Sequence, residues 1–191
     1  MKRISLAETA HQLIEKHLAA GDNAIDATIG NGHDTVFLAR IVGLNGSVFG
    51  FDIQEQAIQS TSQRLQKQNL DTQVSLVVAS HADMKQHLPQ SKHRQVAAIM
   101  FNLGYLPGAD KRLTTQTETT LNALNVGCDL LAPRGLMSVM VYPGHVGGDE
   151  EAQAVTQWFQ SLDPHKFVGE VIDCQHPKPQ SPRLFVIRKS S

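Results

Sequence analysis

Residues 26–35 read DATIGNGHDT, directly behind the apolar pair Ala24-Ile25. Gly30 and Gly32 flank an asparagine, with Asp26 before the turn and Asp34 after it. A glycine-rich turn that follows a strand and opens a helix lets backbone come close to another group. The pattern therefore reads as a strand over 23–28, a turn, and a helix from Thr35 to Val42, stopped by Gly43 and the turn Asn45-Gly46. Upstream, Ser5 and Glu8 form a capping box. Leu6, Ala10, Leu13, Ile14 and Leu18 then recur at helical spacing up to Gly21.

Downstream the alternation continues. Residues 47–52, SVFGFD, form a strand ending on an acid, and a polar helix over 54–68 turns Ala57, Ile58, Thr61 and Leu65 inward. Residues 74–79 are apolar nearly throughout, the pattern of a strand covered on both faces. A fourth strand over 96–101 runs into NLGYLPG at 102–108. Next come a helix at 113–131, a strand at 136–142 and a helix at 149–161 that carries Trp158 and Phe159. Strands at 167–173 and 183–188 close the chain, joined by a proline-rich segment. Strands alternating with helices specify an α/β fold, a mostly parallel seven-stranded sheet with helices on both faces. The last two strands lack a connecting helix, which predicts an antiparallel edge strand. Ligands of such sheets bind beyond the carboxyl ends of the strands. That rule gathers residues 26–34, 52, 80–83, 102–111 and 142–148 around one crevice.

Composition bounds the rest. The 191 residues, 41% apolar and 18% charged, predict a single domain over 1–191 with a proper core. No apolar run approaches the roughly 20 residues of a membrane span, and MKRISLAETAHQ turns polar too early for a signal peptide. The expected location is cytoplasmic, with no membrane partner. Cys128 and Cys174 form no CxxC pair and read as reduced thiols. Among the nine histidines, His81, His87 and His93 are spaced by six, too wide for one helical face, and no HExxH appears, so no metal is expected. A net charge of −1 excludes the broad basic signature of a dedicated nucleic-acid module. A local basic patch remains available from Lys111-Arg112 and the cations between Lys178 and Lys189.

The turn suits two classes of nucleotide cofactor. A dinucleotide site needs G-x-G-x-x-G with an acid about 20 residues on. Asp52 supplies the acid, placed to accept hydrogen bonds from a ribose, but Thr35 stands where the third glycine belongs. A nicotinamide-dependent oxidoreductase is thereby disfavoured, and a cofactor-binding protein without catalysis stays open.

The second class is S-adenosylmethionine. DATIGNGHDT, GFDIQ, SHADM and NLGYLPG, in that order, resemble the successive motifs of a class I methyltransferase with its Rossmann-like fold. With the Thr-rich TTQTETTLNAL and with VYPGHVGGDEE, they resemble one small family over nearly the whole chain. That family was first filed as rRNA methylases and includes the MnmM type of tRNA methyltransferase. The resemblance implies methylation of the amino group of 5-aminomethyl-2-thiouridine at the wobble position. The partner it implies is the tRNA anticodon loop, and the assembly a homodimer. Methylation of rRNA or of a small-molecule amine is the alternative within the same fold.

Carried over by position, the resemblance assigns S-adenosylmethionine to Asp26, Gly30, Asn31, Gly32, His33, Asp34, Thr35, Asp52, Gln54, His81, Ala82 and Asn102. Asp26 faces the methionine ammonium, directly or through water; Asp52 holds the ribose; His81 and Ala82 flank the adenine. Asp34 is placed either to cap its helix or to meet the cofactor, and the two roles are compatible. Asn102 stands where amino-methylating relatives carry the first residue of an NPPY-like motif, and its carbonyl is suited to accept a hydrogen bond from the amine. Asn102, Tyr142 and His145 are the catalytic candidates, with Tyr142 a stacking wall for the base and His145 a proton acceptor. Leu103, Gly104, Tyr105, Asp110, Lys111, Tyr142, Gly144 and His145 make up the substrate set. Without the resemblance, Asn102 reads as a loop cap, Asp110-Lys111 as a solvated turn, and Tyr142 and His145 as packing residues.

Overall fold

The computed structural model describes residues 4–104, 114–178 and 180–191. Helix α1 (Leu6–Glu15) starts on the capping box, with Ser5 Oγ accepting from Glu8 N–H and Glu8 accepting from Ser5 N–H. It ends earlier than the apolar spacing suggests, at the C-cap Lys16, yet Leu18 beyond it is still buried. Gly21 belongs to the turn that follows, where its N–H donates to the Val42 carbonyl. Then come β1 (Asn23–Asp26), α2 (His33–Val42), β2 (Ser47–Asp52), α3 (Glu55–Gln66) and β3 (Val74–Val78). The short α4 (Met84–His87) precedes β4 (Val96–Asn102), α5 (Thr117–Leu130), β5 (Leu131–Val141), α6 (Gly148–Gln160), β6 (Phe167–Asp173) and β7 (Arg183–Lys189).

The seven strands lie in the order β3-β2-β1-β4-β5-β7-β6. β1 pairs in parallel with β2 and with β4, β2 with β3, and β4 with β5. β7 runs antiparallel between β5 and β6, so the helix-free pair closes one edge of the sheet. β3 forms the other edge. It is only half-buried, with Val78 51% exposed, rather than covered on both faces. Its apolar composition shows how strongly strand residues favour the sheet, not how many layers cover it.

Side-chain alternation sorts the core into two layers. Ile25, Phe49, Phe51, Ile99, Phe101 and Val139 point to one face, where Met84, Leu124 and Trp158 cover them. Ala24, Val48, Ala98, Met100 and Met140 point to the other, under Ala10 and Ile14 of α1 and Val36 and Ala39 of α2. The chain leaves β1 toward β2 on one side and returns past it to β4 on the other. The switch point therefore falls between β1 and β4, where the crossovers diverge and a crevice opens at the carboxyl ends.

Among the described residues no helix is long and apolar enough to cross a membrane, and no group of three or more His, Cys, Asp or Glu is placed to hold a metal ion.

Candidate active site

Strand parity decides which side chains enter the crevice. Asn102 continues the face of Ala98 and Met100, toward α1 and α2, and there it meets Asp34. Its Nδ2 donates to Asp34 Oδ2 at 2.6 Å, and its N–H donates to Thr28 Oγ1 at 2.7 Å. The other Asp34 oxygen lies 2.6 Å from His11 Nε2, whose ring stacks on Phe37 with centroids 3.9 Å apart. An ionised carboxylate only accepts hydrogen bonds. The amide of Asn102 must therefore present its NH2 to Asp34, which leaves Oδ1 directed elsewhere. Asp34 makes no side-chain cap on α2. It is spent on orienting Asn102.

Asp26 forms the floor. It is fully buried, with Oδ2 accepting from Thr35 Oγ1 at 2.6 Å and Oδ1 from Thr28 N–H at 3.2 Å. Burial, reinforced by the negative charge of Asp34, raises its pKa from 3.8 to about 7. Thr35, also fully buried, spends its hydroxyl on Asp26. Both belong to the expected cofactor set, with Asp26 meeting the ammonium directly or through water; the structure buries both side chains where the end of β1 and the start of α2 meet under the glycine turn. Leu103 belongs to the expected substrate set. It is 1% exposed and packs in the opposite core, because it alternates to the Phe101 face.

The turn itself is left-handed at Gly30 (φ +51°) and Gly32 (φ +73°). A Cβ on Gly32 would overlap the Thr61 side chain of α3, so the position takes no other residue without movement. Gly30 N–H donates to Asp52 Oδ2 and Gln54 N–H to Asp52 Oδ1, each at 2.9 Å. Two backbone donors thus fix the half-buried carboxylate at the end of β2. Asn31 and His33 are exposed on the turn. After β3, Ser80 Oγ accepts from Ala82 N–H at 3.2 Å. The His81 ring tucks inward, edge-on to Phe101, with Nε2 buried and without a hydrogen-bond partner among the described residues. Desolvation pushes that imidazole down to about 4, so it is neutral at physiological pH.

On the far wall, Tyr142 stands where burial and the charge of Asp34 push its phenol above the usual value. The His145 ring lies 3.4 Å from where a Cβ on Gly104 would sit and even closer to one on Gly148. Gly144 N–H donates to Asp149 Oδ1 at 3.1 Å. Tyr105, Asp110 and Lys111 lie outside the described residues. Burial raises the Cys128 thiol to about 12, so it is held protonated.

His11 and Thr28 had no part in the sequence reading. Thr28 lay inside the quoted stretch, where a hydroxyl among glycines was the available signal. His11 lies 23 residues from Asp34 and carried none.

Residues 48–188 match the family model described as "Putative rRNA methylase". The chain belongs to this methylase family. Residues 2–91, which hold the glycine turn and Asp52, also match the model of protein-L-isoaspartate(D-aspartate) O-methyltransferase. Over 168 residues, 84% of the chain, this methylase is 40% identical to a chloroplastic tRNA (mnm(5)s(2)U34)-methyltransferase of Arabidopsis thaliana, and it spans 61% of that relative's length. It superposes on a protein of Clostridium thermocellum described as a "putative rRNA-methylase" with a TM-score of 0.92 and 38% identity, covering 99% of this chain and 98% of that one. A Streptococcus mutans protein described as "a putative methyltransferase" and solved in complex with SAH matches with a TM-score of 0.86 and 34% identity over 99% of both chains. The fold is that of a class I methyltransferase.

Proposed function

We propose that the protein transfers a methyl group from S-adenosylmethionine to the amino group of 5-aminomethyl-2-thiouridine at the wobble position of tRNA. The observation that carries this reading is the fixed amide of Asn102, held by Asp34 beside the glycine turn at the β1–β4 switch point.

The residues fit the cofactor. Asp52 is bound by backbone donors yet half-exposed, which leaves acceptor capacity for a ribose diol. His81 Nε2 is an orphaned nitrogen where the resemblance places the adenine. Gly30 and Gly32 supply the left-handed backbone of the turn that the resemblance places under the methionine moiety. When bound, the cofactor supplies an electrophilic methyl on a cationic sulfur. The remaining chemistry belongs to the chain: it must present an unprotonated amine in line with that methyl and keep water out. Asn102 Oδ1 accepts one N–H of the substrate amine and so aims the nitrogen lone pair. The amine aimed by Asn102 would take the methyl of a cofactor bound here, leave the sulfur–carbon electron pair on sulfur and become a secondary ammonium. No covalent enzyme intermediate is needed, in keeping with a protonated Cys128. Asp34 and Asp52, both partly exposed, face the crevice above the buried Asp26, and acidic surroundings suit a cationic cofactor and an amine better than an anionic ligand.

The tRNA substrate is supported by the name and 40% identity of the Arabidopsis relative. A wobble base leaves its stack at low cost in a single-stranded loop, and the partly exposed Tyr142 offers a ring to stack on. We place the reaction in the cytoplasm, a reading supported by the free Cys128 and Cys174. A homodimer would supply further RNA-binding surface.

The test is methyl transfer from labelled S-adenosylmethionine to three acceptors in parallel: tRNA lacking the terminal methyl, rRNA, and small primary amines. Label confined to tRNA is the expected result. Label in rRNA or in the free amines, with tRNA unchanged, overturns the substrate while leaving the cofactor site intact.

A further inference from the structure

The Thr-rich stretch 114–120 and the acidic start of α6 take no part in the chemistry above, yet they are bonded to each other. Glu151, in the first turn of α6, is 2% exposed. Its Oε2 accepts from Thr115 Oγ1 at 2.7 Å and its Oε1 from Thr120 Oγ1 at 2.6 Å. Thr115 passes the contact on. Its Oγ1 accepts from Gly104 N–H at 2.8 Å, and its own N–H donates to the Gly104 carbonyl at 3.0 Å.

The backbone after β4 is consequently held at three successive donors by three separate elements. Asn102 N–H goes to Thr28 in the glycine turn, Leu103 N–H to the Met140 carbonyl of β5, and Gly104 N–H to Thr115. Gly104 sits at φ +129°, a conformation side chains rarely adopt, and the His145 ring packs against it. Glu151 also belongs to the helix that follows the 142–147 wall, so one carboxylate ties that wall to the Asn102 segment. Burying a carboxylate is expensive unless its oxygens are satisfied. Here the satisfaction runs through the residue that fixes Gly104.

We propose that Glu151 is a positioning residue for methyl transfer, acting through Thr115 to fix Gly104 and thereby the strand end that aims Asn102. The proposal rests on the reading of Asn102 given above.

Four single variants separate positioning from plain stability. T115V removes the hydroxyl that bridges Glu151 and Gly104; T115S keeps it. T120V removes the second donor to the same carboxylate without touching Gly104. E151A removes the anchor. Positioning predicts that T115V and E151A each lower kcat at saturating tRNA and cofactor by about tenfold or more, with cofactor Kd unchanged, because small misplacements cost heavily in rate. The T115V/E151A double variant should be no worse than either single one. T115S and T120V should stay within about twofold of the wild-type kcat, even where T120V lowers the melting temperature as far as T115V does. Losses of kcat that track melting temperature across all four variants, or no recovery in T115S, overturn it.

Amide exchange of the peptide carrying Leu103 and Gly104 gives a readout that needs no substrate. It should speed up in T115V and E151A and not in T120V. If the wild-type protein leaves tRNA unmethylated but this exchange pattern holds, the substrate assignment falls and the anchor stands. If exchange at Gly104 is the same in every variant, the anchor falls whatever the substrate.

Discussion

Asn102 is useful to the chemistry only if its carbonyl is presented consistently. A free amide side chain is free to rotate and offer either end. Asp34 removes that freedom by accepting from Nδ2, and His11 holds Asp34 in turn. Asn102→Ala removes the acceptor that aims the amine, and the expected loss in single-turnover rate is about a hundredfold or more. Asp34→Asn leaves Asn102 in place but puts an amide where a carboxylate served two donors. A smaller loss, about tenfold, should follow, with cofactor affinity close to wild type by calorimetry. Equal losses in affinity and rate for Asp34→Asn would assign Asp34 to the cofactor instead. The amide of Asn102 was legible in the sequence as the first residue after an apolar strand. The imidazole behind it was not, and Asp34 was legible as a cap or cofactor residue but not as the partner of Asn102, because His11 and Asp34 sit on different helices that come together only once the sheet has formed.

At the scale of elements, the glycine turn shows what local sequence can specify. Gly30 and Gly32 mark left-handed backbone in the sequence itself, and the pattern finds the strand before and the helix after them, although the strand ends at Asp26 rather than at 28 and the helix starts at His33 rather than at Thr35. The reason for Gly32 is tertiary: its missing Cβ makes room for Thr61 on α3. Gly32→Ala therefore meets both a disfavoured φ and a collision, and should cost about 2–4 kcal/mol of unfolding free energy in urea titration. Thr61→Ala in the same chain should recover part of that cost by clearing the side chain. Failure of the second change to help would mean that the φ alone accounts for the loss. Helix α3, read from its spacing, carries no sign of this role. The edge position of β3 was also hidden, since an apolar edge strand and an apolar central strand look alike in sequence. The link from α6 to Gly104 runs through Thr115, which lies 36 residues from Glu151 in sequence, and only its acid and its threonines were visible beforehand.

Across the whole molecule, two buried titrating groups oppose one another. Asp26 is raised from 3.8 to about 7, chiefly by burial. Between those values the unfolded chain has released a proton that the folded chain keeps. This contribution to stability therefore falls as pH rises from about 4 to about 7. His81 is lowered by burial from 6.5 to about 4. In that window the unfolded chain holds a proton that the folded chain lacks, so its contribution rises with pH. The two slopes offset each other from about pH 4 to 6.5. Asp26→Asn keeps an acceptor for the Thr35 hydroxyl, gives up the one for Thr28 N–H at a cost that does not vary with pH, and removes the falling slope. Unfolding free energy should then climb more steeply with pH than in the wild type, by up to ~1.4 kcal/mol per pH unit. Parallel profiles for the two proteins would show that Asp26 titrates normally.

The central claim is that this crevice delivers a methyl to an exocyclic amine aimed by Asn102. The most direct measurement is tandem mass spectrometry of nucleosides from tRNA carrying unmethylated 5-aminomethyl-2-thiouridine, after incubation with S-adenosylmethionine bearing a heavy-isotope methyl. The wild-type protein should place one labelled methyl on the side-chain nitrogen, and Asn102→Ala, still binding the cofactor, should place almost none. A label on the base ring or the ribose, or an undiminished label with Asn102→Ala, would contradict the account.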